Sequence, residues 1–466
     1  MNLDLYKYIY LIGVGGIGMS GLARYFHVKG KKVYGYDAVR SDLCKNLEME
    51  GVSIHYDENI QSISSVITDA NYSETLIVYT SAICESNSIF QFFKEKGYPL
   101  FKRSEILAFI SRNSYTIAVA GTHGKTTTSS MLAHILRDSG FSCTAFLGGI
   151  STNYNTNLIL SDQENILIVE ADEYDRSFLY LNPDIAIITS LDSDHLDIYS
   201  NYQQLVLAFK QFAGQVKNKG LLLVEKNINE TFSTPDKGYR LSYSVNSKAD
   251  YYADNIYIDG DKVRFDLSVL DIMSAINCQK QIKDLELSLP GKHNISNAVA
   301  AAAVGCYIGV SYNQVIQSLK TFQGVRRRYE IKINREDLVY VDDYAHHPKE
   351  IEATIDATKQ MFPNRNITVV FQPHLYSRTQ SLADDFASAL SLATEVIMLD
   401  IYPAREEPIE GVDSQFLLRK CNLDRKEYCS IDDLITLLGN KELDVLLTLG
   451  AGDIGTLAEP IKHMLN

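Results

Sequence analysis

The stretch Ala118-Val-Ala-Gly-Thr-His-Gly-Lys-Thr-Thr-Thr128 limits what this chain can fold into more than any other. An apolar run, Tyr115 to Ala120, reads as a buried strand, and Gly121-Thr122-His123-Gly124-Lys125-Thr126-Thr127 follows without a break. Met131, Leu132, Ile135 and Leu136 then recur at three- and four-residue spacing, so a helix starts directly after the loop. Strand, glycine loop, Lys-Thr and helix make a polyphosphate cradle. Glycines admit backbone N–H groups to the phosphates, and the helix N-terminus adds partial positive charge. Lys125 is placed to reach the outer phosphates and the Thr126 hydroxyl to ligate Mg2+. Val119 stands where the full G-x-x-x-x-G-K-[ST] pattern has its first glycine, so a plain strand-to-helix turn competes with this reading of the loop alone.

A chain of 466 residues is long enough for two to four domains. Its net charge of −14 argues against a general nucleic-acid or membrane-surface role, because polyanion binding leans on Lys and Arg. No apolar run approaches membrane-spanning length, and no signal-like apolar core opens the chain. The seven cysteines are scattered without a C-x-x-C, which predicts free or buried thiols in a reducing cytoplasm.

Before the phosphate loop, a strand from Tyr8 to Ile12 runs into Gly13-Val-Gly15-Gly16-Ile17-Gly18, and Asp37 closes the next strand, Lys32 to Tyr36. That spacing is the dinucleotide fingerprint, with the acid placed to meet a ribose; any diphosphate can use the same helix N-terminus. Further strands (Val52 to Ile54, Leu76 to Tyr79) alternate with helical patterns as far as a polar link near Arg112 to Ser114.

After the phosphate loop, two strands end in acid-rich turns, Glu170-Ala-Asp172-Glu173-Tyr-Asp175 and Asp192-Ser-Asp194-His195-Leu-Asp197. Carboxylates past the carboxyl ends of parallel strands would stand beside the loop and offer Mg2+ hard oxygen ligands. His195 is unusual for that ion, so a capping or core role competes with ligation. From Tyr239 to Leu289 apolar residues alternate in period two, which predicts a small antiparallel insertion. His293 and Asn297 then sit four apart near the start of an alanine-rich helix, with Asn294 or Ser296 as the expected cap.

A third region begins after Gly324. Two strands there end in polar turns, Asp342-Asp343-Tyr344-Ala345-His346-His347-Pro348 and Gln372-Pro373-His374-Leu-Tyr-Ser377-Arg378. Adjacent histidines without a third ligand at zinc spacing do not make a zinc site, and Ser377 lacks a G-x-S-x-G elbow. The expected fold is α/β in three domains: Rossmann-like at 1–112, a central P-loop-type ATPase unit at 113–323, and a Rossmann-like C-terminal unit at 324–466.

Taken in one order, Gly13 to Ala23, Gly121 to Thr126, Glu170-Ala-Asp-Glu173, Asp194-His195-Leu-Asp197, His293-Asn-Ile-Ser-Asn297, Asp343-Tyr-Ala-His-His-Pro348 and Gln372-Pro-His-x-Tyr-Ser-Arg378 resemble the Mur ligases of peptidoglycan synthesis, over Leu11 to Gly455. The resemblance implies an ATP- and Mg2+-dependent ligase, closest to the branch that adds L-alanine to the lactyl carboxylate of UDP-N-acetylmuramate. It implies Lys125 at the β- and γ-phosphates, Thr126 and Glu170 on one Mg2+, and His195 on a second. Gly121 to Thr127, His293, Asn297 (at the adenine), Arg328 (at a hinge) and Asp343 would contact ATP. Gly15, Gly16, Ile17, Gly18, Asp37, Ser81 and Arg103 would line the UDP-sugar cleft in place of NAD. His346, His374 and Arg378 would form the amino-acid pocket, with His346 as candidate base; Leu375 stands where many relatives have Arg. The small-molecule substrates are then UDP-N-acetylmuramate and L-alanine, handled in the cytoplasm by a monomer or homodimer. The rivals are a recycling ligase that adds a tripeptide to the same nucleotide and, in another class, an NAD-dependent oxidoreductase.

Overall fold

Strands that are apolar without alternation need cover on both faces, which parallel sheets flanked by helices supply. The computed structural model describes residues 2–466 except 70–71, 162, 164–165, 193–198, 200, 246, 271–280 and 405, with Asp175 described by its backbone alone. The first sheet comprises β1 (Tyr8–Ile12), β2 (Lys32–Tyr36), β3 (Ser53–His55), β4 (Thr75–Tyr79) and β5 (Leu100–Lys102). These strands lie in the order β3-β2-β1-β4-β5, all parallel. The order reverses between β1 and β4, which leaves a crevice at their carboxyl ends.

The central sheet holds β6 (Tyr115–Ala120), β7 (Cys143–Ser151), β8 (Thr156–Ile159), β9 (Ile166–Glu170), β10 (Ile185–Ile188), β11 (Leu221–Glu225) and β12 (Tyr239–Ser244). Along this part of a longer sheet the order is β12-β11-β10-β6-β9-β7-β8, parallel except where β8 turns back on β7. β6 lies mid-sheet and is buried from Thr116 to Ala120. Its neighbours β9 and β10 therefore set their carboxyl-end turns on either side of the phosphate loop. β7 and β8 are absent from the sequence reading because Gly148-Gly149 interrupts the apolar run of β7. Gly148 has a structural reason: a Cβ there would lie 2.1 Å from Glu170 Oε2.

The chain divides into two compact units, one of Met1–Tyr252, Leu267–Ile282 and Asn297–Ser318, the other of Ala253–Asp266, Lys283–Ser296 and Leu319–Asn466. β13 (Tyr251–Asp259), β14 (Lys262–Val269), β15 (Gln281–Leu287) and the helix Lys292–Ile308 each run from one unit into the other. The expected antiparallel insertion is corrected at its start, since β12 pairs in parallel with both β11 and the first residues of β13. Period-two alternation reports one buried face and says nothing of a partner's direction. The expected cap is corrected too. Asn294 lies inside the first turn of its helix and its side chain donates back to the Pro290 carbonyl at 2.7 Å.

The third sheet comprises β16 (Glu330–Asn334), β17 (Val339–Asp343), β18 (Ile367–Phe371), β19 (Glu395–Met398), β20 (Lys426–Tyr428) and β21 (Val445–Leu449). Its order is β16-β17-β21-β18-β19-β20, and β16 alone is antiparallel to its neighbour. The sequence reading missed β16 and found the polar turns after β17 and β18.

Within the first unit, β8 is stapled to the helix Ile17–Val28. The buried Asn157 amide donates to the Ser20 hydroxyl at 3.0 Å and to the Ile17 carbonyl, and accepts from Arg24. Arg24 also forks onto Glu50 at 2.8 and 2.9 Å. Asn157→Ala strands these partners, so it should lower the stability of this unit to urea by about 1–3 kcal/mol. A loss under about 0.5 kcal/mol would mean that water replaces the amide freely.

Candidate active site

The phosphate loop is held in shape from β10. The His123 N–H donates to Ser190 Oγ at 2.7 Å and the Thr122 N–H to the Ser190 carbonyl at 3.2 Å. Thr189 Oγ1 donates to the Ala120 carbonyl at 3.1 Å and also to that of His123. Gly124 caps the helix Lys125–Asp138 with φ +81°, and a Cβ there would lie 2.5 Å from Asn297 Oδ1. That oxygen also accepts from Thr128 Oγ1 at 3.1 Å, so Asn297 sits against the loop. Thr127 is buried in the first turn of the same helix.

The acid turn after β9 closes on Lys125 and Thr126. Thr126 Oγ1 donates to Glu170 Oε1 at 3.0 Å, and the Gly148 N–H donates to Glu170 Oε2 at 2.9 Å. The Lys125 ammonium meets Glu173 at 2.8 Å and the Gly121 carbonyl at 2.7 Å. Burial alone would lower the Lys125 pKa, but Glu173, Asp172 and Glu170 together raise it above the ordinary lysine value. Thr126 and Glu170 are thus adjacent, whereas His195 lies outside the described residues. Among the described residues no group of three or more His, Cys, Asp or Glu could hold a metal ion.

The first glycine loop lies in the same unit. Gly16 caps the helix that Ile17 begins, with Gly18 in its first turn, and Asp37 accepts the Gly15 N–H at 2.8 Å. The Arg103 side chain lies over Gly18, whose Cβ would be 2.9 Å from Arg103 Cδ. A cavity of about 30 Å³ brings Ser81 and Arg103 together with Lys102, Asp172 and Tyr174. The turns after β4 and β9 therefore share this cavity. Asp172 belongs to the acid-rich turn read from sequence, whereas Lys102 was not singled out; its signal is only that it directly precedes Arg103.

The second unit gathers the histidines. His347 caps the helix Pro348–Met361, its ring accepting the Lys349 N–H at 3.4 Å, which accounts for it without a metal. His346 faces His374 at 6.1 Å between ring centroids, and His374 stacks on Tyr402 at 5.7 Å. His346 Nδ1 lies 3.0 Å from the Tyr344 carbonyl. A carbonyl only accepts, so Nδ1 carries the proton and Nε2 keeps its lone pair. Arg328 joins this group, 5.2 Å above the Tyr344 ring and 3.9 Å from Glu350. Leu375, two residues past Pro373, holds φ +70° and donates its N–H to the Tyr402 carbonyl at 3.0 Å. Arg378 sits in the helix Tyr376–Ser381, and its charge bears on both histidines. Asp343 is buried and fully engaged, accepting from Thr354 Oγ1 at 3.0 Å and from the Ala345 and Tyr329 N–H groups at 3.0 and 3.2 Å. His293 is exposed at the start of its helix.

A fold of three sheets with turns of this kind has known counterparts. Family models match in chain order: the Mur ligase family catalytic domain at 8–115, the Mur ligase middle domain at 119–305, and the Mur ligase glutamate ligase domain at 327–452. The chain belongs to the Mur ligase family. It is 43% identical over 465 residues to the UDP-N-acetylmuramate–L-alanine ligase of Parabacteroides distasonis, covering all of this chain and 98% of that one. It is 44% identical over 469 residues to the ligase of the same name from Flavobacterium johnsoniae, covering 100% and 99%. The crystal structure of the UDP-N-acetylmuramate–alanine ligase of Thermotoga maritima superposes with a TM-score of 0.81 at 25% identity, covering 98% of this chain and 99% of that one.

Two titrations of opposite sign meet in the second unit. Burial, then the charges of His346 and Arg378, push His374 down to about 4 from 6.5. Burial raises Asp343 from 3.8 to about 6. Between pH 6.5 and about 4 the unfolded chain holds the His374 proton and the folded chain does not, so stability falls as pH falls. Between about 6 and 3.8 the folded chain holds the Asp343 proton, so stability rises as pH falls. Asp343→Asn should therefore steepen the acid loss of stability below about pH 6, and His374→Gln should flatten it, in urea midpoints taken from about pH 7 to pH 4. Parallel midpoint curves for the two variants would contradict these assignments.

Proposed function

We propose that this chain is an ATP-dependent ligase that joins L-alanine to the lactyl carboxylate of UDP-N-acetylmuramate through an acyl phosphate, releasing ADP and phosphate. What carries the reading is the phosphate loop, where Lys125 and Thr126 stand against Glu173 and Glu170, in a chain alike over its full length to ligases of that name. Residues 1–112 would bind the UDP-sugar, 113–323 ATP, and 324–466 the amino acid.

A carboxylate resists amine attack, so it is first activated. One of its oxygens attacks the γ-phosphorus as the bond to the ADP oxygen breaks, a transfer between anions that needs charge neutralisation and alignment. Lys125 and the N-terminus of its helix supply that at the phosphates. Thr126 Oγ1 and Glu170 present hard oxygens 3.0 Å apart, a donor set that suits one Mg2+, and His195 is assigned by the resemblance to a second. The ion, when bound, offsets charge on the phosphate oxygens. Gly121 to Thr127 cradle the phosphates, while Asn297, His293 and Arg328 are assigned to the nucleotide by the resemblance. Asp343 acts there through its hold on the Tyr329 N–H. The Gly15 to Gly18 loop, Asp37, Ser81 and Arg103 bind the UDP diphosphate and its flanks.

Arg378 and His374 hold the alanine carboxylate, and His346 Nε2 takes a proton from the ammonium so that nitrogen can attack the acyl carbon. Phosphate then leaves with the activating oxygen. A solved structure named for ligation of L-alanyl-gamma-D-glutamyl-meso-diaminopimelate is 24% identical to this chain, against 43 and 44% for the L-alanine ligases above, so L-alanine is favoured over a tripeptide. No helix among the described residues is long and apolar enough to cross a membrane, and six cysteines among them are free, which supports a cytoplasmic setting.

Phosphate release should be measured with ATP, Mg2+, UDP-N-acetylmuramate and each of L-alanine, glycine, L-serine and tripeptide. Release should be fastest with L-alanine; none with L-alanine sinks the proposal, and NAD reduction revives the oxidoreductase reading. Lys125→Ala should lower ligation by about 10³-fold or more while UDP-sugar binding persists. His346→Asn should lower kcat by about 10²-fold, and unchanged turnover would remove His346 as the base.

A further inference from the structure

The acid turn after β9 holds a buried carboxylate to which the chemistry above gives no step. Glu173 is fully buried, and its side chain meets the Lys125 ammonium at 2.8 Å. Its backbone is anchored as well. The hydroxyl of Tyr199, also fully buried, donates to the Glu173 carbonyl at 2.7 Å, and the Arg176 guanidinium lies 5.3 Å over the Tyr199 ring. A buried ammonium and a buried carboxylate are each unfavourable alone, and each compensates the other. The Lys125 ammonium also donates to the Gly121 carbonyl at 2.7 Å, so it is aimed from two sides across the mouth of the loop. A triphosphate entering the loop brings a further anion to that same ammonium.

We propose that Glu173 is a positioning residue that aims the Lys125 ammonium across the phosphate loop while competing with the nucleotide for it. The assignment rests on ATP binding at this loop. Two opposed effects follow from the geometry. The carboxylate holds the lysine ready for the transferring phosphoryl group, and it also weakens ground-state attraction between lysine and nucleotide. Its neutralisation should therefore separate binding from turnover.

The test is Glu173→Gln, with ADP binding followed by calorimetry and kcat and KM for ATP taken from initial ligation rates. ADP affinity should stay within about threefold or tighten, while kcat falls about 10–100-fold. Glu173→Asp keeps the charge and should restore part of kcat. An unchanged kcat in Glu173→Gln, or ADP affinity and kcat lost together with no rescue by Glu173→Asp, overturns the assignment. Should Glu173→Gln fail to fold, Tyr199→Phe replaces it. That variant keeps both charges but frees the Glu173 carbonyl, so kcat should fall while ADP affinity holds, and an unchanged kcat overturns the assignment. Wild-type protein that binds neither ADP nor ATP would instead overturn ATP binding at the loop, which separates the two failures.

Discussion

In a parallel sheet every strand delivers its chain to the same edge, and where the strand order reverses, two connections leave that edge in opposite directions. Each of the three sheets has such a point: between β1 and β4, around β6, and around β21. All the functional assignments depend on it. The Gly13 to Gly18 loop and the Thr80-Ser81 turn border the first gap. The phosphate loop, the Glu170 turn and Thr189-Ser190 border the second, and the turns carrying His346 and His374 border the third. Side chains far apart in sequence become neighbours with no long excursion of the chain.

Polar groups at these edges are then satisfied by one another, and the pattern of satisfaction separates scaffold from chemistry. Ser190, Thr189 and Asp343 spend their hydrogen bonds on backbone groups of the loops they hold. Lys125 and Thr126 instead bond side chains beside the loop, Lys125 to Glu173 and Thr126 to Glu170. His347 and His346 each spend one ring nitrogen on a backbone group, but His346 also faces a second imidazole, that of His374.

Most of this was legible in the sequence where a strong local signal and a special residue coincided. β1, β2 and β6 run over the residues read from their apolar stretches, and Gly124-Lys125 begins a helix as the spacing requires. What escaped reading depends on partners. β7 carries two glycines, which argue against a strand until the Glu170 carboxylate is seen lying against Gly148. β12 alternates like an antiparallel strand yet pairs in parallel, since alternation encodes burial and not direction. Glu173 read as one more carboxylate in an acid-rich turn beside the loop, and only its complete burial against Lys125 distinguishes it.

The amide of Asn157 and the fork of Arg24 onto Glu50 have a bearing on how inhibitors of such an enzyme would gain affinity. They belong to the unit that carries both glycine loops, so the spacing between the diphosphate loop and the phosphate loop is set by the folded unit itself. A single molecule with an anionic group for each loop would meet a surface already arranged to receive it. Its tether could be rigid, with a length read from one compact body, and little of its binding energy would go into reorganising the protein.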